Sequence, residues 1–161
     1  VKEMQLDTDF ELLFPDDYIN NITERLNLYT QLNDVEDEEG LQKFEAQLVD
    51  RFGELPEPVV DLMNSVRVKW IATHIGLEKV IMKKGKFIGY FIADQQSSFY
   101  QSAVFTQVLQ YVQSHPQQAK LKEKQTRTGL RLLLTFDRIT SVDKALKVLA
   151  PFTPQEQNVS A

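Results

Sequence analysis

Two histidines, His74 and His115, are the only imidazoles in the chain, and cysteine is absent. Disulfides, thiolate zinc sites and cysteine nucleophiles are therefore excluded. The histidines fall in different predicted elements. Neither belongs to an HExxH pair, and no GxSxG turn presents a serine to a base, so both read as solvent-facing or helix-end side chains. The acidic run Asp34-Val35-Glu36-Asp37-Glu38-Glu39-Gly40 is the most conspicuous set of oxygen ligands. As a calcium loop it would put Asp34, Glu36 and Glu38 at the first, third and fifth positions and Glu45 at the twelfth. The glycine required at the sixth position arrives one residue late, as Gly40. The run is better read as a connector into a helix N-terminus, where the macrodipole favours acidic side chains. Gly85-Lys86-Phe87-Ile88-Gly89 lacks the following Gly-Lys-Ser/Thr of a phosphate loop and sits within a hairpin. No metal, cofactor or catalytic residue is expected, and the chain reads as a non-enzyme.

Two polar arrays remain. Lys120, Lys122 and Lys124 recur at period two, on one face of a strand, with Arg127 and Arg131 close by. Such a row can meet phosphates, which makes a nucleic-acid-binding hairpin the alternative reading. The preferred one is the wet side of a half-buried sheet or a guard against edge-to-edge aggregation, because no aromatics interleave with the lysines. The second array is Lys43, Gln47 and Asp50, on a common side of a predicted helix with Arg51 beside them.

The elements that must position these arrays follow from periodicity. Loose alternation over residues 2–14 predicts a strand, stopped by Pro15. Asn20 or Asn21 can cap a helix carrying Ile22, Leu26, Tyr29 and Leu32, with Glu24 placed for a capping box on Asn21. Leu41, Phe44, Leu48 and Phe52 stripe a second helix that closes at Gly53. Pro56 and Pro58 open a third, running through Trp70 to near Gly76. Two strands, 77–83 and 86–93, then turn at Lys84-Gly85. Ser97 or Ser98 caps a fourth helix that ends by Pro116. Strands 119–126 and 130–137 turn at Thr128-Gly129. Thr140 or Ser141 caps a last helix, ended by Pro151. Helices and hairpins segregated in this way predict an α+β fold, a single domain with helices packed on a mainly antiparallel sheet. Residues 1–152 are assigned to that domain and 153–161 to a loose polar tail.

The chain has 161 residues, 42% hydrophobic and 25% charged, enough for one domain with its own core. No apolar run approaches the ~20 residues of a membrane span, and no secretory or transit signal opens the chain. It begins at Val1, within a strand-like pattern, as a module cut from something longer would. The net charge is −5, which argues against a domain built mainly to grip nucleic acid. Residues 1–40 hold twelve acidic and two basic side chains, whereas residues 81–161 hold five and eleven. Such polarity orients encounters with charged partners.

The segment Gln47-Leu48-Val49-Asp50-Arg51-Phe52-Gly53-Glu54-Leu55-Pro56-Glu57-Pro58-Val59 closely resembles the Glu-Leu-x-Asp-Arg-Phe-Gly-x-Leu-Pro-x-Pro stretch of the C-terminal domain of bacterial transcription-repair coupling factors (Mfd). Phe14-Pro15-Asp16-Asp17-Tyr18-Ile19 and Glu24-Arg25-Leu26-Asn27-Leu28-Tyr29 are similar to the family's Pro-Asp-x-Tyr-Ile and Arg-Leu-x-x-Tyr motifs. Ile75-Gly76-Leu77-Glu78-Lys79-Val80 is similar to its Leu-Gly-Ile-x-Lys-Ile. The resemblance covers about the first half of the chain; residues 81–161 carry no independent motif.

Membership implies the last module of an ATP-dependent DNA translocase that dislodges stalled RNA polymerase and recruits the excision-repair protein UvrA. The motor would lie upstream. It further implies a cytoplasmic, non-catalytic brake that packs against the parent's UvrA-binding module and covers the recruitment surface, with UvrA and RNA polymerase as indirect partners. Strong nucleic-acid binding by this domain is not implied. The family's Glu and Asp on the second helix face basic side chains of that module. Asp50 occupies the Asp position, and Gln47 replaces the Glu, removing one charge. Asp50, Gln47 and Arg51 are thus the expected partner-binding residues, and Arg51 with Phe52 and Gly53 is also expected to shape the helix end.

Overall fold

The computed structural model describes residues 4–154. In chain order it holds β1 (Gln5–Thr8), α1 (Ile22–Asn33), α2 (Glu38–Phe52), α3 (Glu57–His74), β2 (Leu77–Lys83), β3 (Lys86–Phe91), a short 3-10 turn (Ser98–Gln101), α4 (Ala103–Ser114), β4 (Ala119–Thr126), β5 (Gly129–Asp137), α5 (Val142–Leu149) and a closing 3-10 turn (Ala150–Phe152). The expected α+β class is observed. Two compact units divide the chain. One comprises Glu11–Arg67, and the other the residues up to Phe10 together with those from Val68 onward. The loose tail expected at 153–161 falls, from residue 155, outside the described residues.

The second of these units contains one five-stranded sheet in the order β1-β2-β3-β5-β4. Both hairpins are antiparallel, and so is the β3–β5 pairing that joins them. Only β1 runs parallel to its neighbour, pairing Gln5–Thr8 with Lys79–Met82. The alternation that predicts a strand over residues 2–14 therefore yields a short one. Its partner β2 ends one residue beyond Met82, and the chain turns at Lys84 and Gly85, both with positive φ (55° and 77°). Beyond Thr8 the contact with β2 ends at Asp9, whose N–H donates to the Met82 carbonyl at 3.3 Å and whose carboxylate accepts from the Lys84 N–H at 3.1 Å. Period-two alternation puts Val80, Met82, Phe87, Phe91, Leu134 and Phe136 on one buried face. Phe136 lies edge-on to Phe87 at 5.5 Å, and Phe105 of α4 lies edge-on to Phe91 at 5.6 Å, which places α4 over that face.

Two boundaries differ from expectation. Ser97 caps the 3-10 turn, and α4 starts only where Ser102 accepts from the Phe105 N–H. Gly129, with φ 123°, lies within β5, so the second hairpin turns on Arg127 and Thr128. Of the two caps considered for α5, Ser141 is the one used.

The Glu11–Arg67 unit is a helical layer. Leu28 and Leu32 of α1, Leu41, Phe44 and Leu48 of α2, and Val59 and Met63 of α3 are buried together with Phe14 and Ile19. The 3.6-residue spacing of these side chains is what leaves a second, polar face on α2.

Candidate interaction surface

The first candidate surface is built by α1 and α2. Asn21 caps α1 by accepting from the Glu24 N–H at 2.9 Å, and Asp37 caps α2 by accepting from the Gly40 N–H at 2.8 Å. At its other end α2 stops at Gly53, whose φ of 93° is one that side-chain-bearing residues avoid. Tyr18 holds that end: its hydroxyl donates to the Gly53 carbonyl at 2.8 Å, and its ring lies 5.7 Å from that of Phe52. Partial burial raises the Tyr18 phenol above its ordinary pKa, so it stays a donor.

The three family-like motifs of this unit are bonded to one another. Arg25 donates to the Ile19 carbonyl at 2.5 Å, the Tyr29 hydroxyl accepts from the Phe14 N–H at 2.8 Å, and Tyr18 reaches Gly53. A groove lined by Asp17, Tyr18, Asn21, Glu24, Arg51 and Phe52 results.

The three candidate contact residues occupy the same helix in different states. Gln47 is half-buried and exchanges hydrogen bonds with Gln31 of α1, accepting at 2.9 Å and donating at 3.5 Å. Arg51 pairs with Glu24 at 2.5 Å while its guanidinium stands 4.7 Å from the Phe52 ring centre. Glu24 therefore spends its carboxylate on Arg51, and only the Asn21 half of the capping box forms. Asp50 is exposed and carries no hydrogen bond or ion pair among the described residues. It is the one free charge of the three. Val49 beside it is 46% exposed, and Ile22 and Leu26, one helical turn apart on α1, are 64% and 59% exposed.

Part of the acidic run is committed elsewhere. Arg67 of α3 pairs with Glu38 at 2.7 Å and Glu45 at 3.4 Å, and Asp37 is a cap. Among the described residues, no group of three or more metal-ligating side chains could hold an ion. His74 is exposed at the end of α3, and His115 stacks on Tyr111 at 3.9 Å beyond the end of α4. Lys120, Lys122, Lys124 and Arg127 are exposed, but Arg131 is not, being held by the Phe91 carbonyl at 2.8 Å and Glu78 at 3.4 Å. No helix among the described residues is long and apolar enough to cross a membrane.

Reasoning from sequence missed the partners of Gln47 and Arg51. An antiparallel α1–α2 pair joined by a short acidic connector was the available signal, since it aligns Gln31 with Gln47 and Glu24 with Arg51. Tyr18 gave no periodic signal, because its role depends on a contact 35 residues away.

Comparison with known proteins fits this geometry. The model of the TRCF domain family matches residues 8–102. The transcription-repair-coupling factor of Rickettsia prowazekii is 24% identical over 139 residues, which cover 86% of this chain and 12% of that protein. Its counterpart in Escherichia coli is 34% identical over 68 residues, or 42% of this chain and 6% of that protein. In Staphylococcus haemolyticus the figures are 34% over 86 residues, 53% and 7%. The chain thus spans a small part of the length of these relatives. A crystal structure of the C-terminal domain of transcription-repair coupling factor superposes with a TM-score of 0.68 at 21% identity, covering 94% of this chain and 89% of that one, and so shares the fold. With the family model spanning more than half of its residues, this chain belongs to the TRCF domain family of transcription-repair coupling factors.

Proposed function

We propose that this domain is a non-catalytic regulatory module of a cytoplasmic DNA translocase, covering the parent's UvrA-binding module until it is released. The mechanism is competitive burial: a surface held against this domain is closed to UvrA, and release is a shift between the two populations. The observation that carries this reading is the state of Asp50. It is a lone exposed carboxylate on a helix whose other polar groups are satisfied internally, at the position the family resemblance assigns to the clamp. An exposed ion pair contributes only ~0–1 kcal/mol, so the clamp is weak enough to open on demand.

The experiment uses a full-length parent. Asp50→Ala raises its affinity for UvrA by up to about fivefold, the equivalent of roughly 1 kcal/mol, and alters its ATPase activity. Unchanged UvrA affinity in that variant removes Asp50 from the contact.

A further inference from the structure

The sheet has a second face, opposite the Phe87 and Phe136 core. Strand register puts Ile81 beside Ile88, and Tyr90 beside Leu133. Ile81, Ile88 and Tyr90 are partly exposed, and these side chains form an apolar centre. Cations surround it on three sides. Lys83 and Lys86 pair across one end of the strands. At the other end lie Lys79, beside Tyr90, and Arg131, beside Lys124. Lys122 and Lys124 line the β4 edge, both exposed.

Carboxylates answer only part of this charge: Asp7 meets Lys83 at 3.1 Å, Glu78 meets Arg131 at 3.4 Å, and Asp137 stands across from Lys86 in the register. Three cations converge on Tyr90. Lys79, Lys124 and Arg131 stand 5.7, 5.8 and 5.5 Å from its ring centre, and the Lys124 ammonium is 3.4 Å from its hydroxyl. The ring quadrupole offsets their mutual repulsion only in part, each such contact contributing ~0.5–1 kcal/mol at an exposed site. A carboxylate brought among them would remove the remainder.

We propose that this face docks an acidic amphipathic helix of a partner protein, its apolar stripe laid over Ile81, Ile88 and Tyr90 and its flanking carboxylates on the surrounding lysines. An apolar centre within a charged rim is the anatomy of a protein interface, and Tyr and Arg are favoured anchors there. Sheets that bind single-stranded nucleic acid present several aromatics for successive bases. Tyr90 is the only aromatic on this face among the described strand residues, and its cross-strand neighbours are Lys79 and Leu133, neither of which can stack a base. The proposal concerns the sheet and stands independently of the role given to Asp50.

The whole chain is titrated with three labelled probes: a synthetic helical peptide with a leucine stripe edged by glutamates, the same residues in shuffled order, and an oligothymidylate. The striped peptide binds, shifting the amide resonances of Ile88 and Tyr90. The shuffled peptide binds at least about tenfold more weakly, and so does the striped one to the Lys122→Glu/Lys124→Glu variant. Asp50→Ala leaves binding unchanged. Absence of striped-peptide binding, equal binding of the shuffled sequence, or tighter binding of the oligothymidylate overturns the proposal.

Discussion

Gln47 accepts a hydrogen bond from Gln31 at 2.9 Å, so the side chain at the position where the motif resemblance leads one to expect a glutamate is engaged within its own unit. A neutral amide can both accept from and donate to a second amide, whereas a carboxylate can only accept. A glutamine at this position thus makes a reciprocal tie between α1 and α2 that a glutamate could not make. Gln47→Ala is accordingly expected to lower stability by about 0.5–1 kcal/mol, measured by urea unfolding, while changing UvrA affinity of the full-length parent less than twofold. An effect on UvrA as large as that of Asp50→Ala would place Gln47 in the clamp.

Gly76 and Gly85 separate two costs that a glycine can hide. Both have positive φ, 88° and 77°. A Cβ on Gly76 would come within 2.4 Å of the Phe99 ring, whereas one on Gly85 would meet nothing within 4 Å. Gly85→Ala therefore carries only backbone strain, about 1–2 kcal/mol. Gly76→Ala adds displacement of a packed ring, a further ~1–3 kcal/mol. Thermal unfolding of the two variants should show the Gly76 protein distinctly less stable. Equal losses would mean that Phe99 moves aside freely.

What the sequence made legible was local. Asn21, Gly53, Lys84-Gly85 and Ser141 fix helix ends and a turn through bonds to near neighbours, and each is found in its expected role. The parallel pairing of β1 with β2 was not legible, because it joins residues more than 70 positions apart and nothing in Gln5–Thr8 encodes a direction. The same limit applies to the surfaces. Periodicity placed Gln47, Asp50 and Arg51 on one side of α2, but their differing availability depends on Gln31 and Glu24 of another helix. The lysine row of β4 looked isolated from aromatics because Tyr90 reaches it only through strand order, two strands away.

Tyr18 tests whether the end of α2 is held from outside the helix. Its hydroxyl donates to the Gly53 carbonyl at 2.8 Å, satisfying a group that a helix end leaves open. Tyr18→Phe keeps the ring against Phe52 and removes the hydroxyl, and with it the bond to Gly53 and a longer one, 3.3 Å, to the Leu48 carbonyl. A loss of about 1 kcal/mol in denaturant unfolding is expected, with faster amide exchange confined to the last turn of α2. Unchanged exchange there would show that Gly53 closes the helix by itself.

Arg67 makes the stability of the helical unit depend on pH through Glu38. The hydrogen bond from Arg67 is the largest influence on this carboxyl and holds it below its ordinary value of 4.5; partial burial opposes that shift. A group depressed on folding stabilises the native state at any pH above its unfolded value, and that contribution is lost as pH falls through the folded one. The Glu38 side chain is 51% exposed, so solvent screening limits the effect to below about 1 kcal/mol. Glu38→Gln should therefore unfold at lower urea concentration than the parent chain at pH 7. As pH falls through the lowered pKa of the folded carboxyl the difference should shrink towards zero, because the parent carboxyl then becomes protonated as well. A gap that persists at low pH would assign the loss to the packing of α2 against α3 and not to the ion pair.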